Sequence, residues 1–219
     1  MKRLFDILFS FIVLVAFFPL GIAIIIVLLF TGESKIFYIQ KRIGKNLEPF
    51  GLLKFASMLE NSPNVGAGDI TLKNDPRVLP FGKFLRKTKL NEFPQFVNVF
   101  LGDMSMVGPR PLVKNQFDMI PDELKEKIQY LKPGITGAGS IVFRDEEQYL
   151  DANIDSANEF YQTEIVPYKA KLECWYFDHR SIMIDILLIV LTVLLVLFPD
   201  FKLHKVIFSD LPRHQIFNP

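Results

Sequence analysis

The sequence has few of the residues that staple a fold or hold a metal by themselves. Among 219 residues there is one cysteine, Cys174, so an internal disulfide and a Cys-rich zinc site are both excluded. Cys174 reads as a small buried or lipid-facing residue. There are three histidines, His179, His204 and His214, and they lack metal-ligand spacing. His179 reads as a packing or interface residue, and the other two as tail residues. No charge of one sign dominates: 25 Lys and Arg stand against 24 Asp and Glu, a net charge of +1. A nucleic-acid binder working through global basic excess is therefore not expected. Repeats and low-complexity stretches are missing too. What is present is apolar: half the chain is hydrophobic and 22 residues are Phe, against six Tyr and one Trp. Disorder is excluded by that composition, and the length allows one compact domain plus an extra segment.

The apolar residues collect at the two ends. After Met1-Lys2-Arg3-Leu4-Phe5-Asp6, the 24 residues from Ile7 to Phe30 carry no charge, long enough for a membrane helix. A signal peptide fits poorly, because the run is too long and Thr31-Gly32-Glu33-Ser34 is a poor cleavage site. Two readings stay open: a helix that spans, and one that enters the membrane, bends and returns. Pro19 sits mid-run and removes a backbone donor, and Gly21 eases a bend. Lys2 and Arg3 precede the run; Lys35, Lys41, Arg42 and Lys45 follow it. Basic flanks on both sides are what the positive-inside bias gives when both ends face the cytoplasm. The second run, Ile182 to Phe198, is about 17 residues and closes at Pro199. It suits either a core helix or a membrane-associated one, with Asp185 expected at an interface.

The middle, 35–171, is polar and rich in Pro and Gly. Tyr38, Phe50, Leu52, Leu53 and Phe55 suggest one or two short strands, and residues 62–68 a loop. Helices are expected over Phe81–Thr88, from near Asn91 to Leu101 with Pro94 in the first turn, and over Asp122–Leu131 before Pro133-Gly134. This is an α+β pattern. From Lys35 to Lys89 there are 11 Lys and Arg against four acidic residues. Such a surface suits anionic lipid head groups and phosphate substrates alike.

Three stretches then carry a recognisable text: Lys89-Leu90-Asn91-Glu92-Phe93-Pro94-Gln95-Phe96-Val97-Asn98-Val99, Gly102-Asp103-Met104-Ser105-Met106-Val107-Gly108-Pro109-Arg110-Pro111-Leu112, and Pro133-Gly134-Ile135-Thr136-Gly137. Gln40-Lys41-Arg42-Ile43-Gly44, Asn74-Asp75-Pro76-Arg77 and the opening Lys-Arg-x-x-Asp add to them. Together they resemble the bacterial sugar transferases, the monotopic polyprenyl-phosphate hexose-1-phosphate transferases, over nearly the whole chain. The resemblance implies transfer of a sugar 1-phosphate from a UDP-sugar to undecaprenyl phosphate, with Mg²⁺ and release of UMP. It implies a monotopic protein in the bacterial inner membrane: a re-entrant helix-break-helix over 1–34, a catalytic domain on the cytoplasmic face over 35–171, and a membrane-associated helix and tail over 172–219, with amphipathic helices at the interface. The chain looks like the family's minimal form. Expected partners are the UDP-sugar, undecaprenyl phosphate and inner-membrane lipids, with no nucleic acid; an oligomer is open.

The site residues follow from the same text. Arg110 lies between Pro109 and Pro111, whose fixed φ launches a planar guanidinium from a stiff backbone towards phosphate oxygens. Lys54, Arg42, Arg77 and Arg86 are further phosphate contacts, and Arg144 resembles a family Arg near the donor. Where the family commonly has Asp-Glu, with the Asp as nucleophile beside the metal, this chain has Asn91-Glu92. An amide is a poor nucleophile but ligates a hard metal through its oxygen. Glu92 is then expected to act as nucleophile or base, with Asn91 and Asp103 at the metal; direct attack by the lipid phosphate is open. The alternative is a catalytically silent member serving a glycan-assembly complex. Other departures are Lys54-Phe55-Ala56-Ser57-Met58 and the run after Gly137, Ala138 to Glu147.

Overall fold

The structure is a computed structural model, and it describes residues 1–62, 75–144, 146, 149, 157–198, 207–208 and 210–217. Most of the loop expected over 62–68, together with Asn74, Asp145, Glu147, Pro199 and His204, lies outside the described residues. The chain divides into two compact units. The first holds Met1–Asp6, Arg42–Phe50 and Gly102–Pro219; the second holds Ile7–Lys41 and Gly51–Leu101.

The second unit is built on the N-terminal apolar run. Helix α1 (Lys2–Ala16) starts in the first unit and continues here, and α2 (Phe18–Leu29) follows after a bend of 61°. The break falls at Phe17, with Pro19 in the first turn of α2, where its missing N–H costs least. Among the described residues no single helix is long and apolar enough to cross a membrane, although this bent pair together passes on length and composition. Strands β1 (Phe37–Ile43) and β2 (Pro49–Phe55) form a two-stranded sheet at the positions the aromatic and aliphatic residues suggested. Helix α3 (Pro80–Lys87) carries Gly82 and Leu85 inward and Lys83, Arg86 and Lys87 along the rest. The core here is Ile24, Leu28, Phe55 and Leu85, with Ile36 and Phe93 packed on it.

The helix expected from Asn91 begins later. Lys89 takes a left-handed conformation (φ 60°), Leu90–Glu92 make a single 3₁₀ turn, and α4 runs over Gln95–Leu101. Bonds of the i→i−3 kind, Phe93 to Leu90, Phe96 to Phe93 and Val97 to Pro94, hold this tightened entry. Pro94 has no N–H to donate into a longer helix, so the dyad sits in a turn rather than on a helix face.

In the first unit, β3 (Ser105–Val107) pairs in parallel with β4 (Gly134–Thr136), in the register Ser105 to Gly134 and Val107 to Thr136. Between them come α5 (Lys114–Asp118) and α6 (Asp122–Ile128); α6 stops short of the expected Leu131 in a turn. After β4 lies α7 (Ala138–Val142), then α8 (Ala157–Phe160), one π-helical turn over Tyr161–Ile165, and α9 (Val166–His179). Ile120, Ile128, Val166, Ala170 and the buried Cys174 form a core between α6 and α9. His179 packs by stacking on Trp175, and His214 by stacking on Phe217. Helix α10 (Ile182–Leu197) realises the second apolar run. Asp185 in it is 1 % exposed and ion-paired. A carboxylate on an apolar helix is tolerable in such a place only with a charged partner, and Lys2 supplies it.

Candidate active site

The dyad turn lies in the second unit. Asn91 is 6 % exposed, and its Oδ1 is buried with no hydrogen-bond partner. Glu92 beside it is half-buried. The turn is held by α4: Asn98 Nδ2 donates to Gly51 O (2.8 Å), and Asn98 Oδ1 accepts from Leu53 N–H (2.9 Å), tying the helix to β2. Lys54 is the next residue of that strand and is half-buried. Arg86 on α3 reaches Met58 Sδ with Nη1 (3.6 Å). Arg77 corrects the sequence reading. It is 4 % exposed, its Nε and Nη2 donate to Asp75 (2.6 Å at the closest), and its Nη1 donates to Ser62 O. Its guanidinium is buried in a structural ion pair, and no longer suits a phosphate contact.

A buried acceptor left without a donor costs about 1–3 kcal/mol. Oδ1 of Asn91 is therefore an anomaly unless something else meets it. An amide oxygen is a hard donor, and Mg²⁺ is held by few protein oxygens with substrate phosphates and waters completing its shell. Asn91 thus fits such an ion. Among the described residues no group of three or more His, Cys, Asp or Glu is placed to hold a metal.

The first unit carries the Gly-Pro-Arg-Pro segment. Gly108 packs so closely that a Cβ there would stand 2.1 Å from Lys132 O, and its N–H donates to Thr136 O (2.9 Å). The Gly-Pro-Arg-Pro segment is thereby fastened to β4 by backbone alone. Pro109 and Pro111 are buried, and Arg110 between them is exposed. Arg42 Nη1 donates to Pro111 O (3.2 Å), bringing a second guanidinium to the same segment. Asp103 is exposed after Gly102, whose φ of +104° favours glycine. Arg144 is exposed just past α7.

Lys169 and Tyr161 feel the charge of Arg110, and the sequence reading missed them together with their neighbours Glu146 and Glu173. Lys169 Nζ pairs with Glu146 Oε1 (2.6 Å) and lies over the rings of Phe143 and Tyr161. Burial lowers the Lys169 pKa; Glu146 opposes that and the Arg110 charge adds to it. The Tyr161 phenol is pushed up to about 12 by burial and by Glu146, against the pull of Arg110 and Arg42. Glu173 lies one turn after Lys169 on α9. Its Oε1 accepts from Gly139 N–H (3.1 Å), while Oε2 is buried without a partner. Burial pushes its carboxyl up to about 7, against Gly139 and Lys169, which lower it. The only sequence signal was the i, i+4 spacing of Lys169 and Glu173, which an exposed helical pair would show as well.

The opening Lys-Arg-x-x-Asp is tied to the same strand. Asp6 is 2 % exposed, and its Oδ1 accepts from Ser105 Oγ (3.0 Å) and Met106 N–H (2.9 Å). Lys2 Nζ donates to Asp185 (2.7 Å), Tyr176 OH (2.9 Å) and Val107 O (3.2 Å). Burial and the hydrogen bond to Asp185 raise the Tyr176 pKa. One basic and one acidic side chain thus anchor the first turns of α1 to β3.

The model of the bacterial sugar transferase family matches residues 1–199, which include both the dyad turn and the Gly-Pro-Arg-Pro segment. The chain belongs to that family. This sugar transferase is 35 % identical over 162 residues to the exopolysaccharide production protein ExoY of Sinorhizobium fredii, covering 68 % of this chain and 71 % of that one. It is 36 % identical over 163 residues to the undecaprenyl-phosphate galactose phosphotransferase of Salmonella typhimurium, covering 68 % of this chain and 34 % of that one. It is 33 % identical over 196 residues to a UDP-N-acetylgalactosamine-undecaprenyl-phosphate N-acetylgalactosaminephosphotransferase of Aeromonas hydrophila, covering 88 % and 42 %. The sugar transferase therefore spans less than half of the two named phosphotransferases. Of its expected site residues, Asn91, Glu92, Lys54, Arg77, Arg86 and the bend residue Pro19 stand in one unit. Asp103, Arg110, Arg42, Arg144, Pro109 and Pro111 stand in the other.

Proposed function

We propose that this sugar transferase moves a sugar 1-phosphate from a UDP-sugar to undecaprenyl phosphate and releases UMP, as a first membrane step of exopolysaccharide or capsule assembly. The observation that carries the reading is the family match over residues 1–199, which contains every residue assigned a role here. The names of the Salmonella and Aeromonas relatives supply the acceptor class, and that of the Aeromonas relative the nucleotide-sugar donor. A silent member is not favoured by relatives named as transferases.

Arg110, exposed on a backbone stiffened by two prolines, binds phosphate oxygens as a planar fork, with Arg42 close to the same segment. Lys54, Arg86 and Arg144 are secondary contacts for anionic groups. Glu92 is the carboxylate of the dyad turn and serves as nucleophile towards phosphorus or as base for the lipid phosphate. Asn91 Oδ1 would hold Mg²⁺. When bound, the ion neutralises phosphate charge and activates UMP as a leaving group.

The membrane reading rests on the bent pair. Its two helices pass together on length and composition and turn by 61° at the break, and the basic residues on both flanks suit two ends on one side of the membrane. Along α1, Leu4, Leu8, Phe11, Ile12 and Val15 are all more than half exposed, which suits hydrocarbon rather than water. The protein is thus monotopic, in the inner membrane with its catalytic part on the cytoplasmic face.

The test is a panel of UDP-sugars with undecaprenyl phosphate, read as UMP release. Release that needs both acceptor and Mg²⁺, and stops with EDTA, is expected; no release with any donor sinks the reading. Glu92→Gln abolishes release and Asn91→Asp changes it little if Glu92 centres the chemistry. Turnover that appears only in Asn91→Asp identifies a silent chain.

A further inference from the structure

Tyr161 opens the π-helical turn between α8 and α9. In that turn Val166 N–H donates to Tyr161 O, five residues back, where an α-helix would use Gln162. Pro167 follows and has no N–H to give to Thr163, so the α pattern has a gap there in any case. Single π turns of this kind collect at functional sites. The Tyr161 ring is half-buried, and it packs with Leu112 on the cluster of Ile120, Ile128 and Val166. Leu112 directly follows Pro111, so the ring shares a core with the end of the Gly-Pro-Arg-Pro segment. Lys169 Nζ lies over its face at 5.9 Å. The charges of Arg110 and Arg42 both act on the phenol, and Arg42 Nη1 is fixed to Pro111 O at 3.2 Å. The carboxylate in this company, Glu146, is engaged by Lys169 at 2.6 Å. Among the described residues nothing accepts a hydrogen bond from the Tyr161 hydroxyl. Lys169, Arg110 and Arg42 are donors only and cannot accept one. The phenol, pushed up to about 12, keeps its proton at neutral pH and stays a donor. The acceptor that suits a donor among cations is an anion rich in oxygen atoms.

We propose that Tyr161 donates a hydrogen bond to the phosphate group that Arg110 binds, as a further substrate-binding residue of this transferase. The inference rests on the phosphate role of Arg110 given under the proposed function. Arg110 brings charge and a planar fork from an exposed segment. Tyr161 brings one directional donor from a half-buried ring, and Lys169, held by Glu146, covers the face of that ring. The nucleotide donor and the acceptor lipid both present phosphate oxygens, and binding measurements tell the two sources apart.

Affinity is measured by calorimetry on the full-length enzyme in lipid nanodiscs with Mg²⁺, once with UDP and once with a water-soluble short-chain polyprenyl phosphate. Tyr161→Phe removes the oxygen and keeps the ring, so thermal unfolding stays unchanged. The variant weakens one of the two ligands about tenfold, the worth of a hydrogen bond to a charged group. That ligand is UDP if the phosphate is the donor's, and the polyprenyl phosphate if it is the acceptor's. Arg110→Gln weakens the same ligand, and the double variant loses less than the product of the two single effects, since both side chains meet one phosphate. Tyr130→Phe, at an exposed tyrosine of the same unit, changes neither affinity. The proposal is overturned by unchanged affinities in Tyr161→Phe, by equal losses for both ligands, or by a double variant that equals the product. A wild type that binds UDP yet releases no UMP sinks the transfer reading and leaves the role of Tyr161 to the binding data. A wild type that binds neither ligand sinks both.

Discussion

Single residues decide two measurable properties. Glu173 titrates from about 7 when folded, against an ordinary 4.5. Between these values the folded chain binds more protons than the unfolded one, so stability falls as pH rises from 4.5 to 7, by at most about 3 kcal/mol. Thermal unfolding of the wild type should weaken across that window, while Glu173→Gln, with no proton to lose, should give a flatter profile. The second residue is Arg77. Asp75→Ala takes the carboxylate from this guanidinium, which keeps its bond to Ser62 O, and a lower midpoint is expected in denaturant unfolding. The two residues also show what a sequence can express. Arg110 was legible because its flanking prolines determine its backbone locally. Arg77 misled because a basic residue in a basic segment looks the same whether it faces substrate or a buried Asp. Glu173 was invisible because its burial is made by Gly139, which approaches from 34 residues away.

At the scale of elements, the N-terminal bend and the β3 anchor matter most. The bend was readable from Pro19, although the break itself falls at Phe17. The start of α4 was misplaced because the left-handed Lys89 and the 3₁₀ turn are set by packing, not by helix propensity. The anchor makes a clean prediction. Asp6→Ala leaves Ser105 Oγ and Met106 N–H without that acceptor, a cost of about 2–4 kcal/mol. A double-mutant cycle of Lys2→Ala with Asp185→Ala should return a coupling of about 1–3 kcal/mol, since the two side chains touch at 2.7 Å. A coupling near zero would show that the pair is held only by its surroundings.

For the whole molecule, the question is what phase it lives in. The averages, half hydrophobic and nearly neutral, describe neither end of the chain nor its middle. Resolved, they give apolar helices α1, α2 and α10 and a basic stretch from Lys35 to Lys89. A protein held by charge alone is stripped from vesicles by 1 M salt, where screening acts within about 3 Å. One held by buried apolar helices is not. The sugar transferase should therefore float with phosphatidylglycerol vesicles before and after a salt wash. Release by salt would leave the helices as core elements of another assembly.

The hydrogen bonds of Lys2 also bear on the order in which the chain is completed during synthesis. Its partners lie 105, 174 and 183 residues downstream. At ribosomal rates of about 5–20 residues per second, the apolar pair is finished roughly eight to thirty seconds before Asp185 exists. Until then Lys2 lacks its partner at position 185. Only the last apolar helix closes the latch on β3. A stop codon ahead of residue 185 should then yield a chain in which the first turn of α1 lacks part of its latch on β3, read as faster proteolysis at the N-terminus than in the full-length chain.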